Sequence, residues 1–255
     1  MRKDSLHNAQ IAAPRRHTSA RLCPKALASP AIVSTQLLGL HRCLESALGD
    51  LRWWPAETDS EMIIGAILVQ NVAWSNVLTA ISALRSHHLL DFEALLCADP
   101  DLIAACIRST RFYKSKRDRL LHFAHHIRAR HDGQLARFLA QPLSSLRAEL
   151  LSIRGIGPET ADDILLYAAR LPSFVVDAYT RRIMSRCGYC DEDISYEALR
   201  SWFMAHLPSD TALYNQFHAW LDAVGHQFCK SRQPLCGTCP IAYSCDMGNS
   251  TAGDR

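Results

Sequence analysis

Four cysteines near the C-terminus have the residue type and the spacing of a metal site. Cys229, Cys236, Cys239 and Cys245 follow the pattern C-x6-C-x2-C-x5-C. Four thiolates this close in sequence can converge on one centre, and an all-thiolate set of ligands suits zinc or a 4Fe-4S cluster. Zinc sites usually combine two C-x2–4-C pairs, whereas this segment contains one, so its spacing favours the 4Fe-4S cluster. A separate pair, Cys187 and Cys190, has no partner pair and indicates only a helix end.

A second motif, IRGIGPETA from Ile153 to Ala161, has the composition of a tight turn that leads into a helix. Gly155 and Gly157 permit positive φ and close backbone approach, and Pro158 suits a first helical turn. Such a turn directs backbone N–H groups towards an anion. A GxG alone is more typical of an ordinary turn. The helical pattern on both sides predicts a helix-hairpin-helix that contacts nucleic-acid phosphates through Gly155, Gly157 and Thr160.

The elements that must position these motifs are helical almost throughout. Apolar residues recur at helical spacing in several segments, and glycines or prolines separate these segments. One such series is Leu213, Phe217, Trp220, Leu221 and Val224. Alternating strand patterns are scarce. The sequence therefore predicts an all-α protein of roughly ten helices.

Composition and charge exclude several classes of protein. No apolar run reaches the ~18 residues of a membrane span. Ten cysteines occur without a secretory signal, which argues against a secreted disulfide-rich protein and for an intracellular one. The net charge is only +3, but residues 108–131 carry eight Lys and Arg against Asp118 alone. Such a run suits either a polyanionic partner or a solvated helix face.

The N-terminal segment differs from the rest of the chain. Residues 1–34 are rich in Ala, Arg and Ser and have little periodicity, so we predict a basic disordered tail. An organellar transit peptide has a similar composition and stays open as an alternative. Without one, we expect the protein in the cytoplasm, with the DNA of the nucleoid.

The order of the motifs resembles the endonuclease III superfamily of DNA glycosylases. A helix-hairpin-helix, a Gly/Pro segment with an aspartate and a four-cysteine loop follow one another from about Leu51 to Cys245. The resemblance implies a six-helix barrel lobe at 51–171 and an iron–sulfur cluster lobe formed by 35–50 and 172–248. It also implies one 4Fe-4S cluster and a monomer that binds double-stranded DNA with the damaged base flipped out.

Two carboxylates acquire roles through this resemblance. The catalytic aspartate of the family falls on Asp177, which would polarise water or stabilise an oxocarbenium-like sugar. Asp177 also fits a helix N-cap, and one residue can do both. Bifunctional members have a nucleophilic lysine where this chain has Glu159. Because a carboxylate cannot form an imine, we predict a monofunctional glycosylase; Lys116 or Lys230 would replace that lysine only in a rebuilt site.

The substrate prediction depends on tryptophans. Trp53-Trp54-Pro55, Trp74 and the glutamate resemble the 3-methyladenine DNA glycosylase III branch, which lines its base pocket with aromatics and a lysine near the place of Lys230. That branch lacks the cysteine cluster. Aromatic rings favour cationic alkylated purines. We expect at least one of the three tryptophans to belong to the core instead, with Trp54 and Trp74 fitting the pocket better than Trp53. The alternatives are a glycosylase and AP lyase for oxidised or mismatched pyrimidines, and a non-catalytic protein that binds damaged DNA.

Four polar residues complete the predicted DNA interface. The family inserts a polar side chain into the gap left by the flipped base, and Gln70, followed by Asn71, falls at that place. A helix C-cap amide is an equally good interpretation of Gln70. Lys114 and Lys116 lie in FYKSKR, where the family has a turn that contacts the DNA backbone, so we expect both to bind phosphate.

Overall fold

The computed structural model describes residues 21–252 and is built from helices. Within that range there is one isolated bridge, between Leu22 and Cys190, and no strand, so the predicted all-α fold class is confirmed. None of the helices in this range is long and apolar enough to cross a membrane. The helices are α1 (Pro30–Leu48), α2 (Asp59–Val69), α3 (Trp74–Ser86), α4 (Phe92–Cys97), α5 (Pro100–Cys106), α6 (Tyr113–His131), α7 (Leu135–Leu139), α8 (Leu143–Ser152), α9 (Pro158–Asp163), α10 (Ala178–Arg186), α11 (Tyr196–His206), α12 (Thr211–Gln227) and α13 (Asp246–Ala252).

Helix α2 is the most deeply buried element of the first half of the chain. Every residue from 61 to 68 is buried, because α2 contacts α3, α6, α9 and the π-helical turn Ile164–Ala168 that continues α9. The Thr58 hydroxyl caps α2 by accepting a hydrogen bond from the Glu61 N–H at 3.1 Å. Helices α4, α5 and α7 pack on α6, and α8 packs on α9. Helices α2–α9 thus form one group around the hairpin between α8 and α9.

A second group of helices surrounds α12. Helix α10 packs along α12 at close range, and a Cβ on Gly225 would lie 2.4 Å from the Tyr179 Cβ. Helix α1 contacts α11 and α12, and the Trp220 indole donates a hydrogen bond of 2.7 Å to the Gly49 carbonyl just after α1. Because α12 also contacts the π-helical turn, the two groups share one continuous core.

The predicted disordered tail needs a correction at its C-terminal end. Residues 1–20 lie outside the described residues, but Pro24–Leu27 form a 3-10 turn and α1 begins at Pro30. Ala26 is buried, and its carbonyl accepts a hydrogen bond from the Trp202 indole at 3.1 Å. Lys25 pairs with Asp246 at 2.9 Å. The segment lacks periodicity of its own because it is ordered by contacts with distant helices.

A histidine pair ties α8, which leads into the hairpin, to α6. His126 and His131 both place Nε2 next to the same oxygen of Glu149, at 2.8 Å and 2.7 Å, and Gln141 donates to the other oxygen at 2.7 Å. Burial raises the pKa of Glu149, but the hydrogen bonds from His131, Gln141 and His126 outweigh it and lower that pKa to about 2. The carboxylate therefore stays ionised and fixes α8 on α6.

Candidate active site

Asp177 stands at the N-terminus of α10, as the helix-cap interpretation predicts. Its Oδ1 accepts a hydrogen bond from the Thr180 N–H at 2.6 Å, and its backbone is extended. The extended segment before it, Phe174–Val176, is completely buried and fixes its position. The side chain itself is only partly buried, with 14% of its surface exposed, so the second oxygen is free to face a substrate.

Three further carboxylates surround Asp177. Partial withdrawal from water raises the pKa of Glu159, and the Asp177 charge adds to the rise, while Arg181 and the solvent exposure of the residue limit it. Burial and the Asp177 charge likewise raise the pKa of Asp222 to about 7. Burial raises the pKa of Asp163 well above its ordinary range, and Glu159 and Asp177 add to that effect. These raised pKa values favour the protonated form of Asp163 and leave Glu159 and Asp222 only partly ionised at neutral pH, so the negative charge of the site increases as the pH rises. The Glu159 side chain lies at its solvent-accessible mouth.

A buried histidine and tyrosine lie behind Asp177. The Tyr167 hydroxyl and His218 Nδ1 are 2.5 Å apart, and His218 Nε2 is 3.9 Å from Asp177 Oδ2. Tyr167 belongs to the π-helical turn and His218 to α12, so the contact joins the two groups of helices. Sequence analysis missed both residues. The available signal was the polar pair His218 and Asp222, four residues apart in an otherwise apolar stretch.

The three predicted pocket tryptophans do come together. Trp54 contacts Trp53 and Trp74 at ring-centroid distances of 5.3 Å and 5.2 Å, and it contacts Tyr167 at 5.5 Å. All three indoles are only partly buried. A cavity beside them is lined by Trp53, Trp54 and Tyr167, together with Thr58, Asp59, Arg170 and Asn215. Trp74 supports Trp54 from behind rather than lining that cavity. Tyr167 connects these aromatics to Asp177 through His218.

Lys230 does not join the tryptophans, contrary to the prediction. Helix α12 ends at Gln227, and the chain turns away into the cysteine segment, which carries Lys230 with it. The Lys230 ammonium donates to the His226 carbonyl, and the Lys230 carbonyl accepts from Arg186 at 2.7 Å. Its side chain is exposed. Lys230 thus belongs to the surface of the cysteine segment.

The hairpin between α8 and α9 forms an open groove with the end of α2. Gly155 has a φ of +96°, and a Cβ there would lie 2.4 Å from Arg119 Cγ, so only glycine fits. Gly157 has a φ of −93° and caps α9 with extended backbone, so only Gly155 uses the positive φ that both glycines permit. Gln70, Asn71 and Arg119 line the groove opposite the hairpin.

Gln70 is held in this groove by two side chains. Its amide donates to the Thr160 hydroxyl at 2.8 Å, and its carbonyl oxygen accepts a hydrogen bond from Arg119. Thr160 is buried, so it positions Gln70 rather than meeting DNA directly, which corrects the prediction for Thr160. Asn71 follows at the surface with a φ of +56°. Gln70 occupies the C-cap position of α2, although its side-chain amide bonds to Thr160 and Arg119 rather than to the helix.

The four cysteines converge on one cavity. It is lined by Cys229, Cys236, Cys239 and Cys245 and closed by apolar side chains such as Ile183, Val224 and Phe228. The Arg186 guanidinium approaches Cys229 Sγ at 3.2 Å and also donates to the Ser231 carbonyl at 2.8 Å. Four sulfur atoms around an apolar cavity with one guanidinium beside them fit a bound all-thiolate metal centre. Cys187, which the sequence indicates only as a helix end, is the C-cap residue of α10 and also lines this cavity.

Comparison with known proteins identifies the family. The family model described as the HhH-GPD superfamily of base excision DNA repair proteins matches residues 64–208, more than half of the chain. The chain belongs to this superfamily. A candidate DNA repair glycosylase of Methanocaldococcus jannaschii is 40% identical over 208 residues, which is 81% of this chain and 94% of that protein. Endonuclease III of Thermotoga maritima is 25% identical over 75% of this chain and 84% of its own length.

Solved structures have the same fold. A non-covalent complex of endonuclease III with DNA superposes with a TM-score of 0.74 at 19% identity and covers 86% of this chain and 98% of that one. The 3-methyladenine DNA glycosylase MagIII of H. pylori, bound to 1,N6-ethenoadenine, gives 0.66 at 24% identity, with 75% and 97% covered. These likenesses show that the two-group helical architecture is the HhH-GPD glycosylase fold.

The lysines of this HhH-GPD protein are placed away from its aspartate. Residues 21–252 contain four lysines, and neither Asp177 nor Glu159 is paired with any of them. Lys116 is 2% exposed and donates to the Leu68 carbonyl at 2.8 Å, so its predicted phosphate contact is wrong. Burial, with a smaller contribution from Arg119, lowers the pKa of Lys116 to about 8. Lys114, in the first turn of α6, is exposed and accessible to phosphate.

An exposed phenylalanine next to Lys114 escaped the sequence analysis. Phe112 is 66% exposed, caps α6 with a φ of +57°, and lies under the Arg111 guanidinium at 5.3 Å. The signal was an aromatic pair, Phe112-Tyr113, inside an otherwise basic run.

Proposed function

We propose that this protein is a monofunctional DNA glycosylase that releases positively charged, alkylated purines from duplex DNA. Its superfamily acts in base excision repair, and the proposal concerns the base and the chemistry. The observation that carries it is the juxtaposition of four carboxylates with a cluster of aromatic rings. Asp177 is joined through His218 and Tyr167 to Trp54.

This arrangement favours a cationic base for two reasons. Aromatic faces attract a cation by up to ~2 kcal/mol when water is excluded. The Asp177 carboxylate, together with the ionised fractions of Glu159 and Asp222, adds a negative potential beside these rings. Purines alkylated at N3 or N7 carry a positive charge and have weak glycosidic bonds, so stacking and flipping leave little for acid catalysis to do. A neutral oxidised pyrimidine would be bound much less tightly by the aromatic rings and by the negative potential, because it carries no positive charge.

Hydrolysis then depends on Asp177. Its Oδ1 is held by the helix cap, and its other oxygen is available to the sugar or to the attacking water. An ionised carboxylate there stabilises the positive charge that develops on the sugar as the base departs. Since none of the described residues places an amine beside Asp177, the proposal predicts that no imine forms and that the strand stays intact.

DNA is bound on the face that carries the hairpin. The groove between Gln70 and Gly155 presents backbone N–H groups of the hairpin, and Lys114 extends the basic surface towards Phe112. Inserting an apolar side chain between bases is a common way to hold an unstacked duplex. We assign that role to the exposed ring of Phe112, with Gln70 filling the gap left by the flipped base.

The cysteine cavity holds a 4Fe-4S cluster in this proposal, with Cys229, Cys236, Cys239 and Cys245 as its ligands. Such a cluster would supply a rigid centre in a segment that has little core of its own, since hydrolysis of a glycosidic bond transfers no electron. Iron and acid-labile sulfide analysis distinguishes it from zinc. Four iron atoms per chain support the cluster, whereas one zinc atom per chain would replace it.

The decisive experiment identifies the bases that the purified protein releases. Methylated and oxidised duplexes are incubated in parallel, free bases are separated by chromatography, and the strands are checked for nicks. We expect 3-methyladenine or 7-methylguanine and no nicking. Oxidised pyrimidines with nicked strands would contradict the proposal, and binding without release of any base would indicate a non-catalytic protein.

A matched variant tests the meaning of Glu159 in the same assay. Glu159→Lys places an amine at the position of the lysine in bifunctional members. Borohydride should trap a covalent DNA complex with the variant and none with the wild type. A trapped complex with the wild type would show that another amine acts as nucleophile and would overturn the monofunctional assignment.

A further inference from the structure

His218 is a buried polar side chain that is directed at the proposed catalytic group. Its residue is 5% exposed, and its ring lies between Tyr167 and Asp177. Nδ1 is engaged by the Tyr167 hydroxyl at 2.5 Å. Nε2 has no hydrogen-bond partner within the described part of the chain, and its nearest charged atom is Asp177 Oδ2 at 3.9 Å. An unpartnered buried nitrogen costs free energy, so a role is expected for it.

The surroundings of His218 decide which protons the pair carries. Burial lowers the pKa of His218, although the Asp177 charge opposes this, so the imidazole is neutral at neutral pH. Burial raises the pKa of Tyr167 well above its usual range, so its hydroxyl keeps its proton. A neutral imidazole has one N–H. If Tyr167 donates its proton to Nδ1, the imidazole N–H must be on Nε2, which points to Asp177.

We propose that Tyr167 and His218 are a positioning pair for Asp177. Tyr167 fixes the tautomer of His218, and the Nε2–H of His218 donates to Asp177 Oδ2 when a flipped nucleotide closes the remaining gap or brings one bridging water. No proton is transferred. The interaction keeps Asp177 ionised and aimed at the sugar. This inference rests on the proposed function, because it assumes that Asp177 acts on a flipped nucleotide.

The pair also connects Asp177 to the cavity beside the tryptophans, which is called the base cavity below because the proposal places the flipped base there. Tyr167 lines that cavity and contacts the Trp54 ring at 5.5 Å. A base stacked on Trp54 is therefore one side chain away from the group that orients Asp177. The positioning contact consequently forms best when the aromatic cavity is filled, which gives the enzyme a way to favour the correct base at the catalytic step.

Several other titratable groups lie near Tyr167 and His218. Asp163 precedes the π-helical turn of Tyr167, and Asp222 lies one helical turn beyond His218 in α12; both add negative charge around Tyr167. Glu159 stands at the mouth of the site. His41 of α1 contacts the Phe217 and Trp220 rings instead. Because Glu159 and Asp222 also titrate in this site, a change in the pH profile is assigned to the lost N–H when a variant that keeps an N–H donor at position 218 reverses it.

The test compares two variants of one residue. His218→Leu removes both nitrogens, whereas His218→Gln keeps an N–H donor near the position of Nε2. With single-turnover base release, we expect His218→Leu to lower the rate constant about 10–100-fold without changing duplex affinity. The acidic limb of the pH–rate profile should move to higher pH, because Asp177 loses a donor that favours its ionised form. His218→Gln should restore the limb and most of the rate, and Tyr167→Phe should shift it less than Leu does.

Two results would overturn the pair. One is an unchanged pH profile in His218→Leu; the other is an equal loss in the Leu and Gln variants that follows their loss of thermal stability. The profile is recorded on whichever base the wild type releases, so an error in the proposed substrate does not affect it. If no base is released at all, the proposed function fails. A 13C carboxyl titration of Asp177 in wild type and His218→Leu then still tests the pair, and identical titrations would refute it.

Discussion

Helix α10 has a different kind of site at each end. At its N-terminus, Asp177 is surrounded by groups from α9, the π-helical turn and α12. At its C-terminus, Arg186 and Cys187 meet four cysteines that come from a single short segment. The residues of the first site come from distant segments of the chain, whereas the cysteines of the second site are close together in the sequence. A site whose residues lie close together in the sequence, such as the four cysteines, is easy to find there. This holds even though we assign the cysteine site no part in the hydrolysis.

The largest effect is expected at the Asp177 end of α10. Asp177→Asn should lower base release by about 10²–10³-fold, because a neutral amide cannot stabilise the cationic sugar. Asparagine is also a good N-cap, so α10 and duplex binding should persist. The rate is measured under single-turnover conditions beside an affinity measurement on undamaged duplex. Full activity in this variant would remove Asp177 from the mechanism.

The cysteine end should respond in stability rather than in chemistry. Cys239→Ser should disrupt the metal centre and lower the melting temperature by about 10 °C, since several kcal/mol of folding free energy would be lost. Base release per folded molecule should stay within about twofold of wild type at a temperature well below the transition. Cys97→Ser, an exposed cysteine on α4, is the matched control. A specific loss of rate with an unchanged melting temperature would give this end a role in chemistry.

Phe112 sharpens the comparison because it belongs to neither end. Phe112→Ala should reduce base release about tenfold, because the unstacked duplex loses an apolar wedge that is worth on the order of 1–2 kcal/mol. Stability should be unaffected, since the ring is largely exposed. Leu78→Ala, another exposed apolar residue, serves as control. Equal rates on a single-stranded and a duplex substrate would argue against the wedge.

Asp222 offers a test that depends on pH. Its pKa is raised to about 7, so the folded protein binds its proton more tightly than the unfolded chain does. Stability should therefore fall as pH rises from about 4 to 7, and the penalty is complete above pH 7. Asp222→Asn should raise the melting temperature by a few degrees at pH 8 and leave it unchanged at pH 4. An equal shift at both pH values would show that charge is not the cause.

The smallest expected effect separates two neighbouring lysines. Lys114→Ala should lower the salt dependence of DNA affinity by about one unit of log–log slope, because one phosphate contact is lost. Lys116→Met should leave that slope unchanged, since the Lys116 ammonium is buried against the Leu68 carbonyl. Affinities are measured between low and moderate salt for both variants. A reduced slope in Lys116→Met would mean that its side chain leaves the core to meet DNA.

Sequence predicted the features that depend on local spacing. The all-α class follows from helical periodicity, and the convergence of four cysteines and the cap at Asp177 follow from short motifs. Helical periodicity also indicates that Lys116 is buried, because Lys116 shares the buried face of α6 with Leu120, Phe123 and Ile127. The charge of the basic run concealed that position.

The rest could not be predicted because it depends on contacts between distant segments. His218 lies 41 residues after Asp177 along the chain, and Tyr167 belongs to another helix. Lys230 was misplaced because a helix end in sequence does not reveal which way the following segment turns. The segment Pro24–Leu27 is held by distant residues, among them the Trp202 indole of α11 and Asp246. In each case the position of a residue is set by contacts with a distant segment, which no local sequence pattern identifies.

The π-helical turn has a consequence for the evolution of this protein by insertion or deletion of single residues. The Ala169 N–H bonds to the Ile164 carbonyl at 2.9 Å, five residues back, so the turn holds one residue more than an α-helix would. Loss of a single codon there would leave the helix continuous but rotate Tyr167 by about 100° relative to Asp163. We therefore expect homologous genes that are one codon shorter at this point to encode the same fold with a different base cavity.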